Sequence, residues 1–182
     1  MKELSLHILD IVKNSVKAGA TLIGIDVTES VEENKLSIVI SDNGCGMSKE
    51  FLARVRDPFT TTRTTRKVGM GIPLFEAAAL QCEGAFDITS EEGVGTVVTA
   101  VFQNDHIDRA PLGDMAETMT TLVSGSPEID FCYTHITDDR RFVFDTRTIR
   151  EELGPEVPLD LPDVLLWMDA FLREGLNPST LN

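Results

Sequence analysis

Asp42-Asn43-Gly44-Cys45-Gly46-Met47 follows directly on the apolar run Leu36-Ser37-Ile38-Val39-Ile40. The pattern reads as a strand that stops, turns sharply and leaves a carboxylate at its tip. Gly44 and Gly46 accommodate positive φ and let another group approach the main chain. Asp42 accepts hydrogen bonds from a donor such as a ring amine. Taken alone, the stretch has two readings. Asp-Asn-Gly is ordinary hairpin-turn chemistry, and Asp-x-Gly-x-Gly also suits the mouth of a ligand pocket. Its flanks decide between them.

Upstream, residues 2–18 read as a helix, with Leu4, Ile8, Ile11, Val12 and Ser15 on one stripe. Gly19 is placed to end it. A second stripe runs along the same helix: Glu3, His7, Asp10, Asn14 and Lys17. Its alternating four- and three-residue steps put all five on one face. Thr21 to Val27 alternates like a strand, Glu32-Glu33-Asn34 is turn-like, and Lys35 to Ser41 is the strand leading to Asp42, so the two form a hairpin.

Downstream, Ser48 caps a short helix to about Arg56, and Asp57-Pro58-Phe59 breaks it. Thr60-Thr61-Thr62-Arg63-Thr64-Thr65-Arg66-Lys67 is polar and basic and reads as a mobile loop. It closes on Val68-Gly69-Met70-Gly71. A helix from about Ile72 to Cys82 follows, with Pro73 in its first turn. Ala85 to Ser90 and Gly95 to Phe102 read as strands around Glu91-Glu92-Gly93. The expected fold class is α+β: a two-layer sandwich of a mixed, mostly antiparallel sheet with helices on one face, plus a small α/β C-terminal appendage. The division expected is a main domain over 1–103, which holds the motifs taken up next, and the appendage over 104–182. In the appendage, Asp114 to Val123 reads as a helix. Ile129–Ile136 and Arg141–Phe144 read as a hairpin, Thr146 as the cap of a short helix to Leu153, and Asp160 or Asp163 as the start of a last helix.

Asp10-x-x-x-Asn14, Asp42-x-Gly44-x-Gly46, Gly69-x-Gly71 and Gly95-Thr96 occur in this order over residues 4–103. In that order the chain resembles the GHKL ATP-binding superfamily, which includes gyrase, the Hsp90 chaperone, histidine kinases and the MutL ATPase. The resemblance implies a Bergerat-type fold and binding of ATP with Mg²⁺. Asn14 matches the metal-binding asparagine, and Mg²⁺ suits it because the ion prefers oxygen ligands and few of them from protein. Lys17 is placed for the terminal phosphates. Asp42 matches the carboxylate that receives the adenine amino group, and Thr96 the hydroxyl that supports the base. Gly44, Gly46 and Met47 would line the base pocket. Gly69, Met70 and Gly71 lie ahead of a helix N-terminus, a natural anion site. Arg66 and Lys67, with Arg63 less favoured, would clamp phosphates. Asp10 stands where gyrase-like and MutL-like members carry a glutamate as general base. It is one methylene shorter, and slow hydrolysis is the expectation. His7 reads as a packed or hydrogen-bonded histidine that biases Asp10. His106 and His135 carry no partner signature. No Gly-x-x-x-x-Gly-Lys-Ser/Thr occurs, so a Walker P-loop is excluded.

The chain has 182 residues and a formal net charge of −14. Residues 104–182 contribute −10 of it, from sixteen acids and six arginines. Such a surface argues against general nucleic-acid binding. No apolar run reaches the ~20 residues of a membrane helix. Three scattered cysteines fit neither a disulfide framework nor a zinc site, and a cytoplasmic location is expected. The favoured reading is a stand-alone histidine kinase-like ATPase or kinase module, without a phosphoacceptor domain of its own. It would pass the γ-phosphate to a partner protein or hydrolyse ATP slowly. The alternative is an ATP-gated protein-binding switch, like an anti-sigma or chaperone-like regulator, with little catalysis. A homodimer is compatible with either.

Overall fold

The computed structural model describes residues 2–57 and 70–177. Helix α1 (Leu4–Lys17) is followed by strands β1 (Leu22–Ser30) and β2 (Lys35–Asp42) and helix α2 (Lys49–Val55). Helix α3 (Gly71–Gln81) leads to β3 (Ala85–Glu91) and β4 (Gly95–Gln103). Then come α4 (Met115–Gly125), β5 (Asp130–Ile136), β6 (Arg141–Asp145), α5 (Thr146–Leu153) and α6 (Pro162–Leu176).

One six-stranded sheet runs β3-β4-β2-β1-β5-β6. Every pairing is antiparallel except β1 with β5. The sandwich is thus mixed and mostly antiparallel, as expected. Alternate residues of β1 and β2 (Ile23, Ile25, Val27, Leu36, Ile38, Ile40) are buried and meet Leu4, Ile8, Ile11 and Val12 of α1. Branched side chains fit this pleated, half-covered surface. Phe75, Phe102, Phe131, Tyr133 and Phe144 complete the core.

The expected β1–β2 hairpin is present, with Asn34 at φ +54° in its turn. Residues 104–177 continue the same sheet: β5 lies beside β1, with Ile25 opposite Tyr133. A parallel neighbour needs a crossover, which the stretch from β4 through α4 supplies. This stretch also ties down α1. No described side chain caps that helix at Glu3. Instead the backbone N–H groups of Leu4 and Ser5 donate to the carbonyls of Pro111 and Leu112 at 2.9 and 2.8 Å. Orphan donors of a helix N-terminus are satisfied there by a distant part of the chain.

One expected cap is corrected. Asp145, not Thr146, caps α5, its carboxylate accepting from the Arg147 N–H at 2.9 Å. The buried Thr146 hydroxyl is taken by β5, accepting from Phe131 N–H and reaching Asp130. Helix α6 begins between the two expected starts, Asp160 and Asp163, with Leu161 at its cap and Pro162 in its first position. A proline there has no N–H to satisfy. Ser48 and Asp114 do cap α2 and α4, accepting from Phe51 and Glu117.

Candidate functional site: a cavity between α1 and the end of β2

A cavity of about 230 Å³ opens where the C-terminal half of α1 faces the tip of β2. Asn14 and Lys17 come from α1, Asp42 from the end of β2, Gly46 and Met47 from the turn beyond it, and Thr96 from β4. The sheet register sets two of these side by side, since Asp42 is the direct partner of Thr96. The remaining wall is mostly apolar, with Ile11, Ile40, Val98, Phe51 and Ile72. An apolar slot with a few converging polar groups is the usual form of a small-molecule site.

Asp42 is held from two sides. The Ser15 hydroxyl donates to Oδ2 at 2.6 Å, and the Gly44 N–H donates to Oδ1 at 2.9 Å. A carboxylate has about four acceptor positions, so both oxygens retain capacity for a ligand donor. The next residue braces the turn. Asn43 Oδ1 accepts from the N–H groups of Thr21 and Leu22, and its Nδ2 donates to Thr21 Oγ1. Thr96 is oriented by Ser90, the two hydroxyls lying 2.8 Å apart. Ser90 Oγ also accepts from the Met47 N–H at 2.8 Å. One hydroxyl therefore ties the turn after β2 to the strand beneath the cavity.

The two glycines of the turn serve its own packing. Gly46 has φ +70°, and a Cβ there would sit 2.0 Å from the Glu91 carbonyl oxygen. Gly44 is buried and stays off the cavity wall; a Cβ there would meet the Ala18 side chain at 2.8 Å. The close approach expected from a ligand is made at both positions by the chain itself, between the turn, the end of α1 and the β3–β4 turn. Gly46 still contributes backbone to the wall.

Asn14 bears an unusual feature. Its Nδ2 is buried with no hydrogen-bond partner among the described residues. A buried unpaired amide nitrogen is costly, and a ligand acceptor at this end of the cavity would engage the group. Asp10 lies one turn back and off the cavity wall. It faces the start of α3, where a Cβ on Gly71 would be 3.4 Å from Asp10 Cβ. Met70 is the cap residue of α3, and no described side chain caps that helix. Its first N–H groups have no side-chain acceptor among the described residues. Arg63, Arg66, Lys67 and Gly69 lie outside the described residues. On either side of that segment, Arg56 and Glu76 pair at 2.7 Å, which ties the end of α2 to α3.

His7 is buried and stacked on Phe75, with ring centroids 5.2 Å apart. Burial chiefly lowers its pKa, helped by the N-terminal amine and opposed by Asp10. Its Nδ1 has no partner among the described residues. It is the packed histidine expected, without a hydrogen bond to Asp10. Ser15 and Ser90 are the site residues that sequence reasoning missed. A small hydroxyl residue on the buried stripe beside Asn14 was the available signal for Ser15. For Ser90 there was none without the strand register.

The family profile described as "Histidine kinase-, DNA gyrase B-, and HSP90-like ATPase" matches residues 2–106. The chain is similar to the tetrathionate sensor histidine kinase TtrS of Salmonella typhimurium, 38% identical over 115 residues, 60% of this chain and 18% of that protein. A putative sensor protein of Shewanella frigidimarina is 31% identical over 103 residues, 56% of this chain and 16% of its own length. The chain thus spans less than a fifth of the first curated relatives it matches. Among solved structures, the Aquifex aeolicus MutL ATPase domain complexed with ADP has a TM-score of 0.50 at 14% identity, over 84% of this chain and 69% of that one. That likeness concerns the fold, and it covers more of the chain than the family-matched residues do.

Proposed function

Because this chain belongs to the histidine kinase-, DNA gyrase B- and HSP90-like ATPase family, a family of ATP-binding domains, we propose that the cavity binds ATP and that the domain acts as a kinase-type ATPase module. The observation that carries this reading is the convergence of Asn14, Lys17, Asp42, Met47 and Thr96 on one apolar-walled cavity. Asp42 receives the adenine amino group while Ser15 and Gly44 N–H hold the carboxylate in place. Thr96, beside Asp42 and set by Ser90, supports the base. The aliphatic side chains of Ile11, Ile40, Met47 and Val98 exclude water around the ring.

The phosphates extend toward Asn14, Lys17 and the uncapped start of α3. Mg²⁺ held through the Asn14 amide oxygen would neutralise phosphate charge, and the unpaired Nδ2 beside it is a donor available to a phosphate oxygen. Phosphoryl transfer asks a protein for positioning and charge stabilisation more than for covalent chemistry. Arg66 and Lys67 are the proposed phosphate clamps, with Gly69 as backbone donor. Asp10, beside Gly71, is the group available to orient a water; being an aspartate, it makes hydrolysis slow. Transfer to a partner protein is therefore favoured over rapid turnover to free phosphate.

One observation favours an ATP-gated switch as the second reading. Helix α1 carries Asn14 near its C-terminal end and is capped at its start by Pro111 and Leu112, so a nucleotide-driven shift of α1 reaches the 104–177 region. Incubation with γ-labelled ATP and candidate partners, with Asn14→Ala as control, separates the readings. Label on a partner supports the kinase, and free phosphate alone with altered partner affinity supports the switch. Absence of ATP binding contradicts both.

A further inference from the structure

The last helix has a face that the family match over residues 2–106 does not reach. On α6, Met168 and Leu172 are fully buried, where the helix packs on α4 and β6. Leu166 faces away from them, and Trp167 and Phe171 lie along one flank; the three are 70%, 49% and 39% exposed. Trp167 stacks on Phe171 with centroids 5.3 Å apart, and Phe171 in turn packs on Phe142 and Phe144 of β6. The aromatic pair is thus fixed to the core rather than loose on the surface. Exposed rigid aromatics of this kind are the residues that dominate protein–protein interfaces.

The charge around this patch selects what covers it. Three- and four-residue steps place Asp163 and Glu174 on the same face as Leu166, Trp167 and Ala170, one at each end. From Glu151 to Glu174 the chain has seven carboxylates against one base, Arg173. Arg173 is itself paired with Asp169 and Asp114. A second copy of this chain, with a net charge of −14, would bring like charges together. An anionic membrane surface and a nucleic acid would do the same. A basic protein segment with apolar anchors matches both the stripe and its acidic ends.

We propose that the Leu166–Trp167–Phe171 face of α6 is a docking surface for a basic, amphipathic segment of a partner protein. The anchors of that segment cover the aromatic pair, and its Lys or Arg residues meet the carboxylates at Asp160, Asp163 and Glu174.

Trp167 is the only tryptophan of the chain, so its fluorescence reports on the face directly. The full chain is titrated with a synthetic amphipathic helical peptide that has leucines on one face flanked by lysines. The same peptide with glutamates in place of the lysines is the control. The basic peptide should blue-shift Trp167 emission and bind at least about tenfold more tightly than the acidic one, with the difference shrinking as salt screens the charges. Binding followed by anisotropy of a labelled basic peptide should fall about tenfold in Leu166→Ser. It should also fall in Asp163→Lys. Both variants alter exposed positions, and far-UV circular dichroism checks that they keep the native helix content. Equal binding of the two peptides, or of neither, overturns the proposal. So does a Trp167 shift with rising protein concentration alone that tracks a doubled mass, which assigns the face to self-association. Tighter binding to phosphatidylserine vesicles than to the basic peptide assigns it to a membrane.

Discussion

Asp42 carries the most at the residue scale. Its carboxylate faces the cavity while both oxygens are held by the protein, at Ser15 and at Gly44 N–H. Asp42→Asn keeps the volume and one acceptor but replaces the other with a donor. ATP affinity should fall by roughly ten- to a hundredfold, the scale of one charged hydrogen bond at about 1.5–3 kcal/mol, while the thermal midpoint moves by only a few degrees. Isothermal titration beside a melting curve checks this. His7 supplies a pH dependence. Its folded-state pKa lies below the unfolded value because burial disfavours the charged ring. Below the unfolded value of about 6.5, the unfolded chain takes up a proton that the folded chain resists. Stability should therefore fall as pH drops from near 6.5 toward the lowered folded value. His7→Phe, which keeps the stack on Phe75, should remove that part of the slope in denaturant titrations at pH 5 and 7. At this scale Asp42, Asn14, Lys17 and Thr96 were legible because their chemistry is distinctive and their spacing ordered. Ser15 and Ser90 were hidden. A serine has many ordinary roles; the packing of α1 on β2 brings Ser15 to Asp42, and the pairing of β3 with β4 brings Ser90 to Thr96.

Elements decide how rigid the cavity is. The turn after β2 is pinned by backbone contacts as much as by side chains: Cys45 N–H donates to the Ala18 carbonyl at 2.9 Å, and Gly93 N–H to the Cys45 carbonyl at 2.7 Å. Gly46 is the hinge of this arrangement, with its positive φ and the Glu91 carbonyl against it. Gly46→Ala has to move the β3–β4 turn and adopt a strained backbone, a cost of about 1–3 kcal/mol. It should weaken ATP binding as well as lower the midpoint, whereas Gly93→Ala, with open space around it, should pay only for its backbone angle. Comparison of the two variants by thermal melts and ATP titration separates crowding from φ strain. Elements with clear periodicity, α1 and the four strands before residue 104, were readable from the sequence. The cap of α5 was not. Asp and Thr stand side by side at the start of α5, and either chemistry would serve; the buried hydroxyl of Thr146 is claimed by β5, which leaves the cap to Asp145.

For the whole molecule, the central fact is that residues 104–177 share the sheet of the family-matched stretch. Strand β5 covers the edge of β1, and the segment before α4 caps α1. The join was invisible in the sequence because a parallel pairing across about one hundred residues leaves no local pattern. A chain ending after Gln103 would leave β1 as a long apolar edge and α1 without its N-terminal acceptors. Such edges associate with one another, and the truncated chain should aggregate or lose its cooperative melting transition. Among the described residues no helix is long and apolar enough to cross a membrane. Binding of Mg-ATP to the full chain tests the central claim most directly. Titration of the wild type should give saturable binding that Asp42→Asn and Asn14→Ala each weaken by about tenfold or more, with both variants still melting cooperatively within a few degrees of the wild type. Undiminished affinity in both folded variants would show that this cavity is not where the nucleotide binds.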